Sequence, residues 1–146
     1  MEWNIDGTYE SFSQMQYEIG MDALEMLNPK PGELILDIGC GTGNLTVKIA
    51  EKVTSSHKRG DQNDRECGKV IGIDKDKTMI EGAQKRKEIR GLDNLHFMQI
   101  DAIQIDYHNE FDAVFSNIVI HWVKDLNKLF EKLYISLKKK GRITIA

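Results

Sequence analysis

Three glycines at alternate positions constrain this chain more than any other feature of its sequence. They lie in LDIGCGTGN (residues 36–44), which follows an apolar segment and precedes one with helical apolar spacing. Glycines in such a place permit a tight turn and let a ligand approach the backbone, and the following helix offers free N–H groups. The segment therefore predicts a strand, a turn and a helix around a nucleotide-type pocket, without naming the ligand.

Short apolar segments recur along the chain and alternate with helical patterns. The predicted strands are Leu34–Ile38, Val70–Asp74, Leu95–Ile100, Phe111–Ser116 and Arg142–Ala146. Because they show little alternation of apolar and polar residues, we expect both faces of the sheet to be covered. Helices are predicted over Ile19–Leu27, Leu45–Val53, from Met79 to Ala83, and along the stripe Leu126, Leu129, Phe130, Leu133 and Leu137. This alternation predicts an α/β fold with a parallel sheet, and only a single turn over Ala102–Glu110.

Length and composition indicate one globular domain. The 146 residues carry a net charge of −3 and are 40% apolar, which excludes a disordered chain and a dedicated nucleic-acid-binding protein. We divide the chain into an N-terminal arm or helix at 1–28 and a core at 33–146. No apolar stretch reaches the ~18–20 residues of a membrane span and no signal peptide is recognisable, so a cytoplasmic protein is expected. Cys40 and Cys67 are interpreted as reduced thiols, and no metal site is predicted.

The most polar segment, residues 54–69, is predicted to be a surface loop. Its basic residues His57, Lys58 and Arg59 offer an alternative interpretation, contact with an anion or RNA. Nearby acidic side chains, at Asp61, Asp64 and Glu66, nearly cancel that charge. No internal repeat is present.

Three carboxylates, Asp37, Asp74 and Asp101, lie at or near the carboxyl ends of predicted strands. A dinucleotide-binding turn has the spacing G-x-G-x-x-G, whereas the third glycine here comes one residue early, and Asp37 would repel a phosphate but attract an ammonium group. Asp74 ends the second strand, where a carboxylate can accept from ribose hydroxyls, and Asp101 ends the third, where it could accept from an adenine amino group. Each acid alone could equally be a helix cap or turn residue. Together with the glycine turn, they favour a ligand site.

These motifs together resemble the class I S-adenosylmethionine-dependent methyltransferases. LDIGCGTGN resembles the family's first motif, VIGID and MQIDA resemble the segments of the ribose and adenine acids, and FDAVFSN and LKKKGRITIA resemble the fourth and fifth strands. The resemblance implies a Rossmann-like three-layer sandwich with strand order 3-2-1-4-5-7-6 and S-adenosylmethionine bound across the strand ends. The implied cofactor-binding residues are Tyr9, Asp37, Gly39, Cys40, Gly41, Asp74, Lys75, Asp101, Ala102 and Asn117. Lys139-Lys140-Gly141 departs from the family's proline–glycine–glycine at a surface turn.

The acceptor is indicated only by a subgroup resemblance. Tyr9 followed by Gln16, and His121 followed by Trp122, resemble trans-aconitate, juvenile hormone acid and malonyl-acyl-carrier-protein methyltransferases, which methylate carboxylates. The resemblance implies that Gln16 and Trp122 donate hydrogen bonds to the acceptor, with His121 as a candidate base. Amphipathic packing of the N-terminal segment, a helix anchor at Trp122 and a cap at His121 are the alternatives. Ser116-Asn117-Ile118-Val119 lacks the signature of nucleic-acid amino-methyltransferases.

The sequence thus predicts S-adenosylmethionine-dependent methyl transfer to a small molecule, with a carboxylate as a candidate acceptor. One alternative is an NAD(P)-dependent oxidoreductase, which the glycine spacing and Asp37 disfavour. Another is a non-catalytic cofactor-binding fragment, because the chain reaches only the fifth of seven expected strands and strands 6 and 7 are absent. An apolar fifth strand at a sheet edge would then be open to self-association.

Overall fold

A five-stranded parallel sheet with the order β3-β2-β1-β4-β5 forms the centre of the computed structural model. The structure describes the backbone of residues 5–54 and 67–146 and the side chains of 11–54 and 67–146. The elements are α1 Ile5–Leu27, β1 Leu34–Ile38, α2 Asn44–Val53, β2 Lys69–Asp74, α3 Lys77–Arg90, β3 Leu95–Gln99, β4 Phe111–Ser116, α4 Leu126–Ser136 and β5 Leu137–Ile145. Single 3₁₀ turns cover Ala102–Gln104 and Ile120–Trp122. The predicted α/β fold is confirmed, and so is the single turn between the third and fourth strands.

Two apolar clusters cover the two faces of the sheet. One includes Leu24 of α1 and Ile49 of α2 packed with Ile35, and the other includes Leu129 of α4 packed with Leu36. Successive side chains of a strand point to opposite faces, so Asp37 lies on the same face as Ile35. The alternation therefore directs this carboxylate toward α1 and α2, not toward α4.

Three element predictions differ from the structure. Helix α1 begins at Ile5, well before the predicted Ile19. Strand β5 begins at Leu137, which the apolar stripe had assigned to the preceding helix, and its pairing with β4 is irregular between Phe111 and Ala113. Strand β3 alternates buried and exposed side chains because it forms a sheet edge, so its two faces are not both covered.

The predicted stripe of α4 is only partly buried. Leu129 and Leu133 enter the core, whereas Leu126 and Phe130 are partly exposed. Both exposed residues lie on the flank of the helix, so the buried stripe is narrower than the apolar pattern. None of the helices in residues 5–54 and 67–146 combines the length and apolar character that a membrane span requires.

Helix α1 is held in place by an arginine from the opposite end of the chain. The guanidinium of Arg142 on β5 donates to the carbonyls of Leu27 and Asn28, at 2.8 and 3.1 Å, where α1 ends. Helix α1 has no basic residue in its last turn, so Arg142 supplies the positive charge that a helix C-terminus favours. At the middle of α1, Gly20 lies so close to Leu45 and Asn117 that a Cβ there would overlap both.

The polar segment predicted at 54–69 is largely outside the described residues, and so are its basic residues His57, Lys58 and Arg59. Its two ends are described. Asn94 Nδ2 lies within hydrogen-bond distance of Ala50 O, Thr54 Oγ1 and Gly68 O, at 3.0, 3.1 and 3.0 Å. The N–H of Gly68 also donates to Val53 O at 3.1 Å. The end of α2 and the approach to β2 are thereby joined.

Candidate active site

Two cavities meet at Gly39, at the carboxyl ends of the parallel strands. The larger, of about 490 Å³, lies on the side of β2 and β3, and the smaller, of about 220 Å³, lies between the glycine turn and α1. Predicted cofactor residues of the larger cavity are Gly39, Asp74, Lys75, Asp101 and Ala102. Those of the smaller cavity are Asp37, Gly39, Cys40, Gly41 and Asn117. The sequence-predicted residues therefore converge, but on two connected spaces.

The glycine turn has a backbone that only glycine adopts without strain. Gly39, Gly41 and Gly43 have φ angles of 66°, 56° and 79°. A Cβ on Gly39 would also overlap the side chain of Val119, which lies over the turn. The position shared by the two cavities is thus open only because it has no side chain.

Three hydrogen bonds hold this turn from outside. Cys40 N–H donates to Ile73 O at 2.9 Å, Gly41 N–H donates to Asp74 Oδ2 at 3.0 Å, and Arg86 Nε donates to Thr42 O at 2.9 Å. Two of these partners come from β2 and the third from α3. The shape of the turn therefore depends on the neighbouring strand and helix as well as on its glycines.

Asp74 has a structural role as well as the predicted one. Besides accepting from Gly41, it accepts at Oδ1 from Asp76 N–H at 2.9 Å. Each carboxylate oxygen has a second lone pair, so acceptor capacity toward the larger cavity remains. Asp101 is similar, since its Oδ1 accepts from Ile103 N–H at 3.2 Å and begins a 3₁₀ turn. Each acid thus acts as a cap or turn residue and also lines the larger cavity.

Asp37 is almost completely buried, with 3% of its surface exposed. Its Oδ2 accepts from Thr46 Oγ1 at 2.7 Å. Burial raises the pKa of this carboxyl to about 7, with a further rise from the Asp74 charge, and the hydrogen bond from Thr46 opposes the shift. Burial and the same two acids also raise the pKa of the Cys40 thiol, so Cys40 is neutral and not a nucleophile. Cys40 and Cys67 are both free, as expected.

Asn117 follows β4 and presents an unpaired acceptor. Its Nδ2 donates to the carbonyl of Gln16 in α1 at 3.2 Å. Its Oδ1 is buried and has no hydrogen-bond partner. A buried acceptor without a donor is costly, so this oxygen is suited to a ligand that carries hydrogen-bond donors.

Comparison with known proteins gives this geometry a family. Residues 29–146 match the family described as "Methyltransferase domain". The chain belongs to this methyltransferase family. The class I S-adenosylmethionine-dependent methyltransferase fold predicted from the motifs is confirmed by this match and by the sheet order.

The methyltransferase domain has curated relatives and structural neighbours over most of its length. It is 29% identical over 96% of the chain to a demethylmenaquinone methyltransferase of Oceanobacillus iheyensis, covering 57% of that protein. It is 28% identical over 95% of the chain to malonyl-[acyl-carrier protein] O-methyltransferase 1 of Ilyobacter polytropus, covering 47%. The chain thus spans about half the length of these relatives.

A solved structure, phosphoethanolamine N-methyltransferase 2 of Haemonchus contortus in complex with S-adenosyl-L-methionine, superposes with a TM-score of 0.73. It is 29% identical, and the match covers 86% of this chain and 27% of that one. By their names, these proteins are a methyltransferase of demethylmenaquinone, an O-methyltransferase of malonyl-[acyl-carrier protein] and an N-methyltransferase of phosphoethanolamine. They agree on methyl transfer and differ in the acceptor.

The predicted acceptor residues of the methyltransferase domain do not share a cavity. Gln16 lines the smaller cavity, whereas Trp122 lines the larger one and is 71% exposed. His121 is exposed and stands beside Trp122, with ring centroids 5.0 Å apart, and lines neither cavity. Tyr9 lies in α1, and its side chain is outside the described residues. Gln16 and Trp122 can serve one acceptor only if it lies where the cavities join, near Gly39.

Sequence reasoning missed three residues that shape the site of the methyltransferase domain. Thr46 hydrogen-bonds Asp37, Arg86 hydrogen-bonds the glycine turn, and Val119 covers Gly39. A signal existed for Thr46, because it is a lone hydroxyl on the buried face of α2 beside Leu45 and Ile49. Arg86 belongs to a charged helix face and Val119 to a loop, so neither carries a recognisable pattern.

Proposed function

We propose that this protein transfers a methyl group from S-adenosylmethionine to a small-molecule acceptor. The observation that carries the proposal is the meeting of two cavities at Gly39, with carboxylates on one side and an unpaired buried acceptor on the other. S-adenosylmethionine is a nucleoside joined to an amino acid through sulfur, and both of its ends carry hydrogen-bond donors that such acceptors can bind. The sulfur would then lie close to Gly39.

The larger cavity suits the adenosine portion. Asp74 and Asp101 can each accept hydrogen bonds, from ribose hydroxyls and from the adenine amino group in the proposed orientation. Apolar side chains complete its lining, with Ile38, Ile73, Ile100, Ile103 and Val123 among them. The exposed Lys75 and the small Ala102 lie at the same strand ends and would border the nucleoside.

The smaller cavity suits the methionyl portion. Asn117 Oδ1 lacks a donor, and Asp37 is a carboxylate that has no salt-bridge partner among the described residues. The α-ammonium group of the cofactor would supply donors and positive charge to both. Cys40 and Gly41 line the same cavity, in the glycine turn that precedes α2.

When bound, the cofactor supplies an electrophilic methyl group on a sulfonium. The residues of this chain then have to hold the donor, exclude water and orient the acceptor, since in-line displacement depends mainly on position. Val119 covers the turn on one side and α1 closes the smaller cavity on the other. A carboxylate acceptor needs no base, which suits a site where the candidate base His121 lines neither cavity.

A small-molecule carboxylate is the acceptor class that we propose, with Gln16 and Trp122 as its hydrogen-bond donors. Support comes from the subgroup motif in the sequence and from the malonyl-[acyl-carrier protein] relative. The demethylmenaquinone relative supports a compound of the quinone class as a second candidate acceptor. A cytoplasmic location, the lack of a nucleic-acid partner and self-association through β5 stay predictions from the sequence.

Calorimetric titration with S-adenosylmethionine, S-adenosylhomocysteine and NAD tests the cofactor. We expect the first two to bind and NAD to give no heat, with binding weakened at least about tenfold by Asp74→Ala because two hydrogen bonds to ribose are lost. Asp93→Ala, at an exposed acid away from both cavities, is the matched control. Binding of NAD without either sulfur compound would refute the proposal.

Transfer of a labelled methyl group to a panel of carboxylic acids, phenols, quinols and amines tests the acceptor. Incorporation into an acid that falls strongly in both Gln16→Ala and Trp122→Phe supports the proposed donors. Incorporation only into quinols would move the proposal to the quinone-class acceptor.

A further inference from the structure

Thr46 is a fully buried hydroxyl whose single described partner is a carboxylate. It has 0% of its surface exposed, lies in the first turns of α2, and donates from Oγ1 to Asp37 Oδ2 at 2.7 Å. The surrounding positions of α2 are apolar, among them Leu45, Val47 and Ile49. A valine would fill almost the same volume there, so the hydroxyl matters for what it does to Asp37.

The groups that face Asp37 are acidic or neutral. Strand β2 contributes Asp74, the glycine turn contributes Cys40, and β4 contributes the amide of Asn117. Helix α1 adds Tyr17 and Gln16 on the far side of the smaller cavity. No lysine, arginine or histidine forms a salt bridge with Asp37 within residues 11–54 and 67–146.

In these surroundings, the protonation state of Asp37 is sensitive to small changes in its hydrogen bonds and nearby charges. Burial and Asp74 raise the pKa of the carboxyl, and the Thr46 hydrogen bond lowers it, with a balance at about 7. The proton and a cationic ligand therefore compete for the same carboxylate near neutral pH. A ligand that brings positive charge into the smaller cavity must displace that proton.

We propose that Thr46 is a positioning residue that sets the pH range in which the cofactor binds, by holding Asp37 in the ionised form that a cationic ligand requires. The inference rests on the proposed function, since it takes the ammonium and sulfonium charges of S-adenosylmethionine as the cations that approach Asp37. It assigns a task to a side chain that does not itself touch the cofactor. Binding is then coupled to the release of a proton.

The coupling of cofactor binding to proton release predicts the direction in which affinity changes with pH. Below about pH 7 the carboxyl of the free protein is protonated, so each lower pH unit weakens binding by up to tenfold and each bound cofactor releases up to one proton. Above that pH the carboxylate is already ionised, and affinity no longer rises with pH. Loss of the Thr46 hydroxyl raises the pH at which the plateau begins.

The experiment is calorimetric titration of the whole chain with S-adenosylmethionine between about pH 5.5 and 8, in two buffers of different ionisation enthalpy, which counts the protons released. Wild type should reach its affinity plateau near neutral pH. Thr46→Val should reach it about one to two units higher, because a hydrogen bond to a charged group is lost. Thr46→Ser, which restores the hydroxyl, should return the profile to that of wild type.

Asp37→Asn provides a second test that does not depend on how well Thr46→Val folds. It should bind weakly, release no proton and show no pH dependence in this range. Identical pH profiles of wild type and Thr46→Val, or equal proton release by wild type and Asp37→Asn, would overturn the inference while leaving the proposed function intact. Failure of wild type to bind S-adenosylmethionine at any pH would overturn the proposed function, and this inference with it.

Discussion

Arg142 and Glu33 form a bidentate ion pair between β5 and the segment that precedes β1. Arg142 Nη1 lies 2.7 Å from Glu33 Oε1, and Nη2 lies 2.8 Å from Oε2. Burial is the largest single influence on the pKa of Glu33 and raises it. The hydrogen bonds from Arg142 and from the Lys30 N–H, together with the charges of Arg142 and Lys30, outweigh burial, so the net pKa is lowered. The same guanidinium also reaches the end of α1. One side chain thus joins the first helix, the first strand and the last strand.

Arg142→Met is expected to lower the free energy of unfolding by about 1–3 kcal/mol, because several charge-assisted hydrogen bonds are lost at a partly buried site. Urea denaturation measures the change. The control is Lys138→Met, whose lysine pairs with Asp112 at 3.2 Å but is 47% exposed and should contribute under about 1 kcal/mol. Equal losses in the two variants would contradict the assigned role of Arg142.

Gly20→Ala should displace α1 from the smaller cavity. The added Cβ would overlap Leu45 and the Asn117 amide, so we expect a loss of about 1–3 kcal/mol in stability together with weaker cofactor binding. Glu25→Ala, at an exposed position of the same helix, is a matched control, since it adds no atom near the cavity and alanine favours a helix. Thermal unfolding and calorimetry are the measurements. Unchanged cofactor affinity in Gly20→Ala would show that α1 does not shape the cavity.

Asp37→Asn should stabilise the ligand-free protein at alkaline pH. The native carboxyl keeps its proton up to about pH 7, whereas the ordinary pKa of an aspartic acid is 3.8, so the stability of wild type falls as pH rises between these values. The asparagine variant lacks this decline and should be more stable at pH 8 by roughly 2–4 kcal/mol. Near pH 4 the two proteins should unfold alike. Parallel stability curves for the two proteins would show that Asp37 is ionised throughout.

Arg86→Met should weaken cofactor binding more than it weakens the fold. Its Nε donates to Thr42 O, and loss of that bond frees the middle of the glycine turn while the core stays intact. A loss of about threefold to tenfold in affinity is expected from one hydrogen bond. Lys85→Met, at the exposed neighbouring position, controls for the change in charge. Equal affinities of the two variants would argue against a role for Arg86.

A feature of this fold can be predicted from the sequence when it depends on residues that are close together in the chain. The strand positions and the glycine turn depend on apolar runs and on residues that tolerate positive φ, and both are visible in a short window of sequence. The start of β5 at Leu137 was missed because the apolar spacing of α4 continues into the strand. The hydrogen bonds of Asp37 to Thr46 and of Arg86 to Thr42 depend on how helices dock on the sheet. Such contacts leave no periodic pattern.

The positions of the predicted acceptor residues also depend on contacts between distant parts of the chain. Gln16 and Trp122 were paired by a motif, but α1 and the loop after β4 bring them to different cavities. Val119 lies over Gly39, which lines both cavities, and this is a long-range packing relation. Asp74 ends β2 as predicted, because the end of a strand is set by the strand itself, whereas Asp101 lies two residues beyond β3, which ends at Gln99.

The hydrogen bonds of Asn94 determine where this fold can accept a change in chain length. The side-chain amide of Asn94 joins Thr54, after which the chain leaves α2, to Gly68, where it returns to β2. This place is at the amino ends of the parallel strands, whereas the cavities are at their carboxyl ends. Closing a longer connection between two points already fixed adds only about 0.6 kcal/mol for each doubling of its length. The stretch between them could be shortened, lengthened or replaced by a reporter sequence without moving the strands. This place is therefore an attachment point where evolution or an experimenter can add a function without altering the chemistry at Gly39.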